Sequence, residues 1–208
     1  MREWCLVVSV YDLKPRFQAL LRPLCNRLAR MGVTANQVTI AAVALSFVAG
    51  FFVWWLPDRR WPLLLIPAAL FVRMALNAID GMLAREHSMK SRLGGILNEV
   101  GDVVSDAALY LPLAYVPGFP PAGIVVFVIL AAISEMTGVL GQTIGATRRY
   151  DGPMGKSDRA FWIGLLTLLL GLGALPRGVW ITWVVVALDV LLVFTILRRA
   201  RRALAEAP

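Results

Sequence analysis

Histidine and cysteine are all but missing from this chain, and charge is thin. His87 is the one histidine, Cys5 and Cys25 are the two cysteines, and charged residues make up 16% of 208. A single histidine cannot build a His-based metal or catalytic cluster. Two cysteines without a CxxC pair form neither a disulfide framework nor a zinc site. Soluble domains carry about 25% charged residues, so an ordinary cytosolic enzyme is excluded, as are a disordered chain and a collagen-like one. The first ten residues have only a short apolar stretch, carry Glu3 ahead of it and are followed by no small-residue cleavage site, so no cleaved signal peptide is expected. Internal repeats and low-complexity segments are absent as well.

Apolar side chains are what the chain has in plenty. Hydrophobic residues make up 59% and the mean hydropathy is +0.71, values that point to an integral membrane protein. A bilayer span takes about 20 residues, so the chain has room for one membrane domain and no second, soluble one. The net charge is +8. In a soluble protein such a balance reads as nucleic-acid binding; in a membrane protein it reads as basic loops meeting anionic lipid. The placement of the charges decides between them.

Positions 14–31 set Phe17, Leu20, Leu21, Leu24, Leu28 and Met31 at helical spacing, with Arg16, Arg22, Arg27 and Arg30 between them. This amphipathic segment is too polar to span and is expected to lie as a helix in the membrane surface, kinked or split at Pro23; a soluble arm is the alternative. Six apolar stretches follow, at 38–56, 61–85, 93–116, 122–144, 160–175 and 179–197. Six spans put both ends on one side. Of the 21 Lys and Arg, only Arg59, Arg60 and Arg177 fall in the loops of the other side and Arg73 falls inside a span. The positive-inside rule therefore places both termini in the cytoplasm, and the basic balance needs no nucleic acid. The expected fold is all-α: an N-terminal segment with a surface helix (1–37), a six-helix membrane domain (38–197) and a basic tail (198–208), in the inner membrane of a bacterium.

Charged groups inside a span cost several kcal/mol each unless partnered or functional, and the second and third spans hold many. Asn77 and Asp80 are i, i+3 on one helix face. Asn98, Asp102 and Asp106 follow at four-residue steps on the next helix, with Glu99 bordering that stripe. Carboxylates converging in low dielectric call for a cation, and oxygen-only donors suit Mg²⁺, Mn²⁺ or Ca²⁺. Gly81 and Ala84 leave space beside Asp80, and Arg85 adds a planar donor fork suited to phosphate. Together these residues read as a pyrophosphate site.

Asn77-Ala-Ile-Asp80-Gly81-Met-Leu-Ala84-Arg85, followed by Asn98-Glu-Val-Gly-Asp102-Val-Val-Ser-Asp106, resembles the signature of the CDP-alcohol phosphatidyltransferase family, D-x2-D-G-x2-A-R, a spacer and G-x3-D-x3-D. The Thr34-Ala-Asn-Gln-Val-Thr39 entry to the first span is similar too, and the resemblance covers nearly the whole chain from Tyr11. It implies transfer of a phosphatidyl group from a CDP-linked donor, CDP-diacylglycerol, to an alcohol such as glycerol 3-phosphate, with release of CMP. It implies one or two Mg²⁺ or Mn²⁺ ions on Asn77, Asp80, Asp102 and Asp106, with Asp106 as general base. Gly81, Ala84, Arg85 and Asn98 fall on the nucleotide side, and a homodimer is expected. Asn77 stands where the first aspartate is expected and Asn98 where the second glycine is expected.

Glu99 either snorkels to the surface or supplies the charge that Asn77 lacks, as a further metal ligand. Arg148, Arg149, Lys156 and Arg159 are topology markers or bind an acceptor phosphate. Arg73, Glu135 and Asp189 share a depth and are expected to form a structural salt-bridge cluster. An inactive relative that binds lipid or a partner, and a cation transporter, are the readings from other classes; a transporter has no need of the Asp80-Gly81-x2-Ala84-Arg85 spacing.

Overall fold

The structure is a computed structural model and describes residues 10–207, with side chains from Phe17 onward. The signal-peptide expectation and Cys5 lie outside the described residues. Seven α-helices are joined by short turns, with no strand among the described residues: α1 (Val10–Arg30), α2 (Ala35–Trp55), α3 (Leu65–Glu86), α4 (Arg92–Tyr110), α5 (Pro121–Leu140), α6 (Lys156–Gly171) and α7 (Trp180–Glu206). Three 3₁₀ turns, Trp61–Leu64, Leu111–Tyr115 and Gly141–Ile144, lead into α3 and extend α4 and α5.

Local chemistry sets these boundaries. Thr34 caps α2 by a reciprocal pair: Gln37 N donates to Thr34 Oγ1 at 3.3 Å, and Thr34 N donates to Gln37 Oε1 at 2.9 Å. The hydroxyl of Ser91 caps α4 by accepting from Gly94 N at 2.9 Å. Pro112 cannot donate to the helix ladder, and α4 tightens into its 3₁₀ turn there. Asp158 accepts from Gly155 N at 3.0 Å at the start of α6.

Four helical segments are long and apolar enough to cross a membrane: Ala35–Trp55, Trp61–Glu86, Pro121–Ile144 and Trp180–Glu206. The sequence led to six. α4 carries Arg92, Glu99, Asp102 and Asp106, and α6 is only 16 residues long and opens on charged residues. Both still pack along the apolar helices, α4 on α2 and α5, α6 on α3. Phe51, Trp54, Phe71, Ile129 and Phe194 point outward, an arrangement suited to a lipid solvent. The protein is a multi-pass membrane protein.

α1 runs unbroken through Pro23, against the expected split. Leu21, Cys25 and Leu28 on either side of the proline pack on Ile79, Met82 and Leu83 of α3. Arg22 grips Glu86 with two nitrogens, at 3.0 and 3.2 Å. Leu20, Leu24 and Met31 face outward. The larger core lies toward the Trp55–Trp61 turn, where Leu63, Ile66, Leu113, Phe127, Leu170 and Val185 exclude water. The buried charges gather toward the other end of the bundle. α7 continues past position 197 through its arginines to Glu206.

Candidate active site

The first half of the motif lies on α3 facing a polar cavity of about 290 Å³. α2 contributes Asn36 and Thr39, α3 contributes Asn77, Asp80, Gly81, Ala84 and Arg85, and α4 contributes Gly94 and Asn98. Asp80 is 7% exposed and its Oδ2 accepts from Thr39 Oγ1 at 2.9 Å. The Thr39 hydroxyl thus orients the carboxylate, which gives the Thr34–Thr39 entry sequence a physical reason. A Cβ at position 81 would stand 3.2 Å from Arg85 Nη1, so glycine leaves room for the guanidinium to fold back over the helix. The structure brings together every residue expected on the nucleotide side.

A second cavity, about 590 Å³, opens between α3 and α6. Leu70, Phe71, Met74, Phe161, Leu165 and Leu168 make its walls, while Arg73, Asn77, Asp106 and Lys156 stand at its polar end. Asn77 lines both cavities. Asp102 lies beside Asn77: its Oδ1 accepts from Asn77 Nδ2 at 3.3 Å, contacts the Lys156 ammonium and lies 3.7 Å from Arg73 Nη2.

Asp106 sits differently. It is 5% exposed; Oδ1 accepts from Arg73 Nη1 and Oδ2 from Arg159 Nη2, both at 3.0 Å. It borders the apolar cavity and not the polar one. One turn before Asn98, Gly94 lines the polar cavity, and a Cβ there would come within 2.8 Å of Asn36 Oδ1. Gly94-x3-Asn98-x3-Asp102 therefore offers the G-x3-D-x3-D spacing one turn earlier than Asn98-x3-Asp102-x3-Asp106, with an amide at the middle position. The sequence contained this signal in the spacing itself, as it contained Asn36 and Thr39 in the Thr34–Thr39 entry.

The remaining candidates divide. Arg148 pairs with Glu99 on α4 and reaches Glu135 on α5 at 3.6 Å. Glu99 is thus held on the side of Arg148, away from Asn77 and the polar cavity. Arg159 bridges Asp106 and Glu135, each at 3.0 Å. Arg149 turns the other way, donating to Asp151 at 2.7 Å and to Glu206 at 2.5 Å. Arg199, which the sequence reading left in the tail, lies 3.5 Å from Glu135 and donates to the Ser134 and Asp151 carbonyls at 2.6 and 3.1 Å. Arg73, Glu135 and Asp189 form no common cluster: Arg73 belongs to Asp102 and Asp106, Glu135 to three arginines, and the buried Asp189 Oδ1 has no partner among the described residues. Equal depth does not place three helices' side chains on facing sides. In the loop before α6, burial works to raise the Asp151 carboxyl, but Arg149 and Arg202 outweigh it and hold it below its ordinary value.

No three of His, Cys, Asp and Glu converge as a metal cluster among the described residues. Asp80, Asp102 and the amide oxygens of Asn77 and Asn98 are hard oxygen donors from two facing helices. Such a set fits a divalent cation such as Mg²⁺ or Mn²⁺, with two formal negative charges from the protein.

A family model described as CDP-alcohol phosphatidyltransferase matches residues 32–195. The chain is 43% identical over 200 residues to the inner membrane protein YnbA of Escherichia coli K12, covering 95% of this chain and 97% of that one. It is 30% identical over 102 residues to an archaetidylinositol phosphate synthase of Pyrococcus horikoshii, about half of each chain (49% and 52%). Among solved structures its fold is similar to that of Mycobacterium tuberculosis phosphatidylinositol phosphate synthase with CDP-DAG bound, at a TM-score of 0.70, 19% identity and coverage of 87% and 92%. The same synthase in complex with manganese and citrate gives a TM-score of 0.71 at 19% identity, with 89% of each chain covered.

Proposed function

The chain belongs to the CDP-alcohol phosphatidyltransferase family, whose members are enzymes that transfer phosphatidyl groups, and from that premise we propose that it moves a phosphatidyl group from CDP-diacylglycerol to an alcohol, releasing CMP. One observation carries the choice of a lipid-linked donor: Asn77 lines both the polar and the apolar cavity. A donor with a nucleotide diphosphate head and acyl tails has one part for each. The head lies along Gly81, Ala84, Arg85 and Asn98, and a tail runs between α3 and α6.

In this reading Asp80, Asp102, Asn77 and Asn98 would hold a divalent ion, which would supply neutralisation of diphosphate charge. Two carboxylates suit one ion better than two. The acceptor hydroxyl attacks the phosphorus that bears the diacylglycerol, the bond from that phosphorus to the CMP oxygen breaks, and the hydroxyl proton passes to a carboxylate. Asp102 suits that last step better than Asp106. Both oxygens of Asp106 are held by buried guanidiniums, and taking a proton there would break two ion pairs. Asp102 gathers its protein partners on Oδ1. Asp106 then fixes Arg73 and Arg159, and Arg148, Lys156 and Arg159 line the acceptor's approach.

The same reading takes α4 and α6 as further spans, with both termini cytoplasmic, α1 lying in the membrane surface on its outward Leu20, Leu24 and Met31, and the chain working as a homodimer. The test is to give purified protein labelled CDP-diacylglycerol, Mn²⁺ and a panel of alcohols, glycerol 3-phosphate among them. A new phosphodiester lipid and CMP in equal amounts are expected. Donor left intact with every alcohol would support the inactive-relative reading.

A further inference from the structure

The acceptor side is rich in arginine, yet each of its cations already has a carboxylate partner. Glu135 is 8% exposed and faces three guanidiniums: Arg159 at 3.0 Å, Arg199 at 3.5 Å and Arg148 at 3.6 Å. Arg148 also holds Glu99, and Arg159 also holds Asp106. Each of the three guanidiniums thus has a carboxylate partner. Arg73 shares Asp106 with Arg159, and Lys156 contacts Asp102, so five cations share four carboxylates. A phosphate arriving on an acceptor meets no guanidinium without a carboxylate partner. It must displace Glu135 and strand a buried charge, or lie beside Glu135, where like charges repel in low dielectric.

Hydrogen-bonding capacity, by contrast, is left over. Among the described residues, Arg148 Nε and Arg159 Nη1 are buried donors without an acceptor, and the hydroxyls of Ser134 and Tyr110 are buried without a partner. Hydroxyl groups can satisfy such atoms without adding charge, as buried polar groups require.

We propose that Glu135 sets acceptor specificity: it stands where an acceptor's phosphate would otherwise bind, so the enzyme uses an uncharged polyol in preference to its phosphate ester. This rests on the transferase reading above and narrows its acceptor. Glu135 is a positioning residue, acting through the guanidiniums it occupies.

The test pairs glycerol with glycerol 3-phosphate and inositol with inositol 1-phosphate, using purified protein, labelled CDP-diacylglycerol and Mn²⁺. In the wild type, kcat/KM for the uncharged member of each pair should exceed that for its phosphate ester by at least about tenfold, because a like-charge contact costs that much or more. Glu135→Gln should shift the ratio toward the ester, through a lower acceptor KM with the donor KM unchanged. Because that variant leaves buried guanidiniums unopposed, its melting temperature is followed as well. Inorganic phosphate should raise it in Glu135→Gln and not in the wild type. A wild-type preference for the esters overturns the proposal whatever the variant does. A ratio unmoved by Glu135→Gln in folded protein overturns it too. Either result leaves the transferase standing, whereas no CMP release with any of the four alcohols removes both.

Discussion

Asp102 and Asp106 are one turn apart on the same helix face, so the helix face alone does not tell them apart. Their surroundings do. Asp106 meets two buried guanidiniums that reach it from α3 and α6, a long-range arrangement that no local motif encodes. Removing one partner of a buried ion pair typically costs about 3–5 kcal/mol. Asp106→Asn is therefore expected to lower the melting temperature sharply, and to reduce activity mainly through that loss. Asp102→Asn should leave the melting temperature near that of the wild type while lowering kcat by at least about 100-fold, the usual scale for a lost general base. Thermal unfolding in detergent and turnover, measured on both variants, separate the two roles. Asp80, Gly81, Ala84 and Arg85 were legible as a unit because i, i+3 and i+4 neighbours must share a face. Glu99 was not, because its placement depends on Arg148, 49 positions away in the chain.

At the scale of helices, the close crossing of α2 and α4 fixes where Asp102 and Asn98 stand. A Cβ on Gly50 would lie 1.9 Å from the carbonyl oxygen of Ala108, so the two backbones touch there. Gly50→Ala must push α4 away. It should cost about 1–3 kcal/mol, as overpacking does, and lower turnover with it. Gly164→Ala, where the nearest atom is 3.5 Å off, is the control and should leave the melting temperature unchanged. The loop between α5 and α6 is held by α7: Glu206 accepts from Thr147 N at 3.1 Å and from Arg149, Asp151 accepts from Arg149 and Arg202, and Thr195 Oγ1 accepts from Met154 N at 3.0 Å. The basic tail, read from sequence as a marker of topology, is thus also part of the clip that carries Arg148. The Asp151 carboxyl sits below its ordinary value of 3.8, so its contribution is complete above that pH and is lost as pH falls through the lower, folded-state value. Asp151→Asn should therefore melt earlier than the wild type at neutral pH. The gap should narrow only as pH drops below 3.8, read as melting temperature against pH.

Across the whole molecule, the six apolar stretches and their turns were legible because hydropathy and proline punctuation act locally. The status of α4 and α6 was not, since Asp106 and Arg159 are buried by neighbouring helices and not by local composition. The bundle keeps its apolar plug toward one end and its ion-pair network toward the other, with Asn77 lining both cavities. On the proposed function a lipid-linked nucleotide lies across the two and gives up CMP. The most direct measurement is CMP release from CDP-diacylglycerol by purified wild type and Asp102→Asn, with glycerol as acceptor, with and without Mn²⁺. The account predicts release by the wild type that needs the metal and disappears in Asp102→Asn. Release that persists at the wild-type rate in Asp102→Asn, or none from the wild type under any of these conditions, would contradict it.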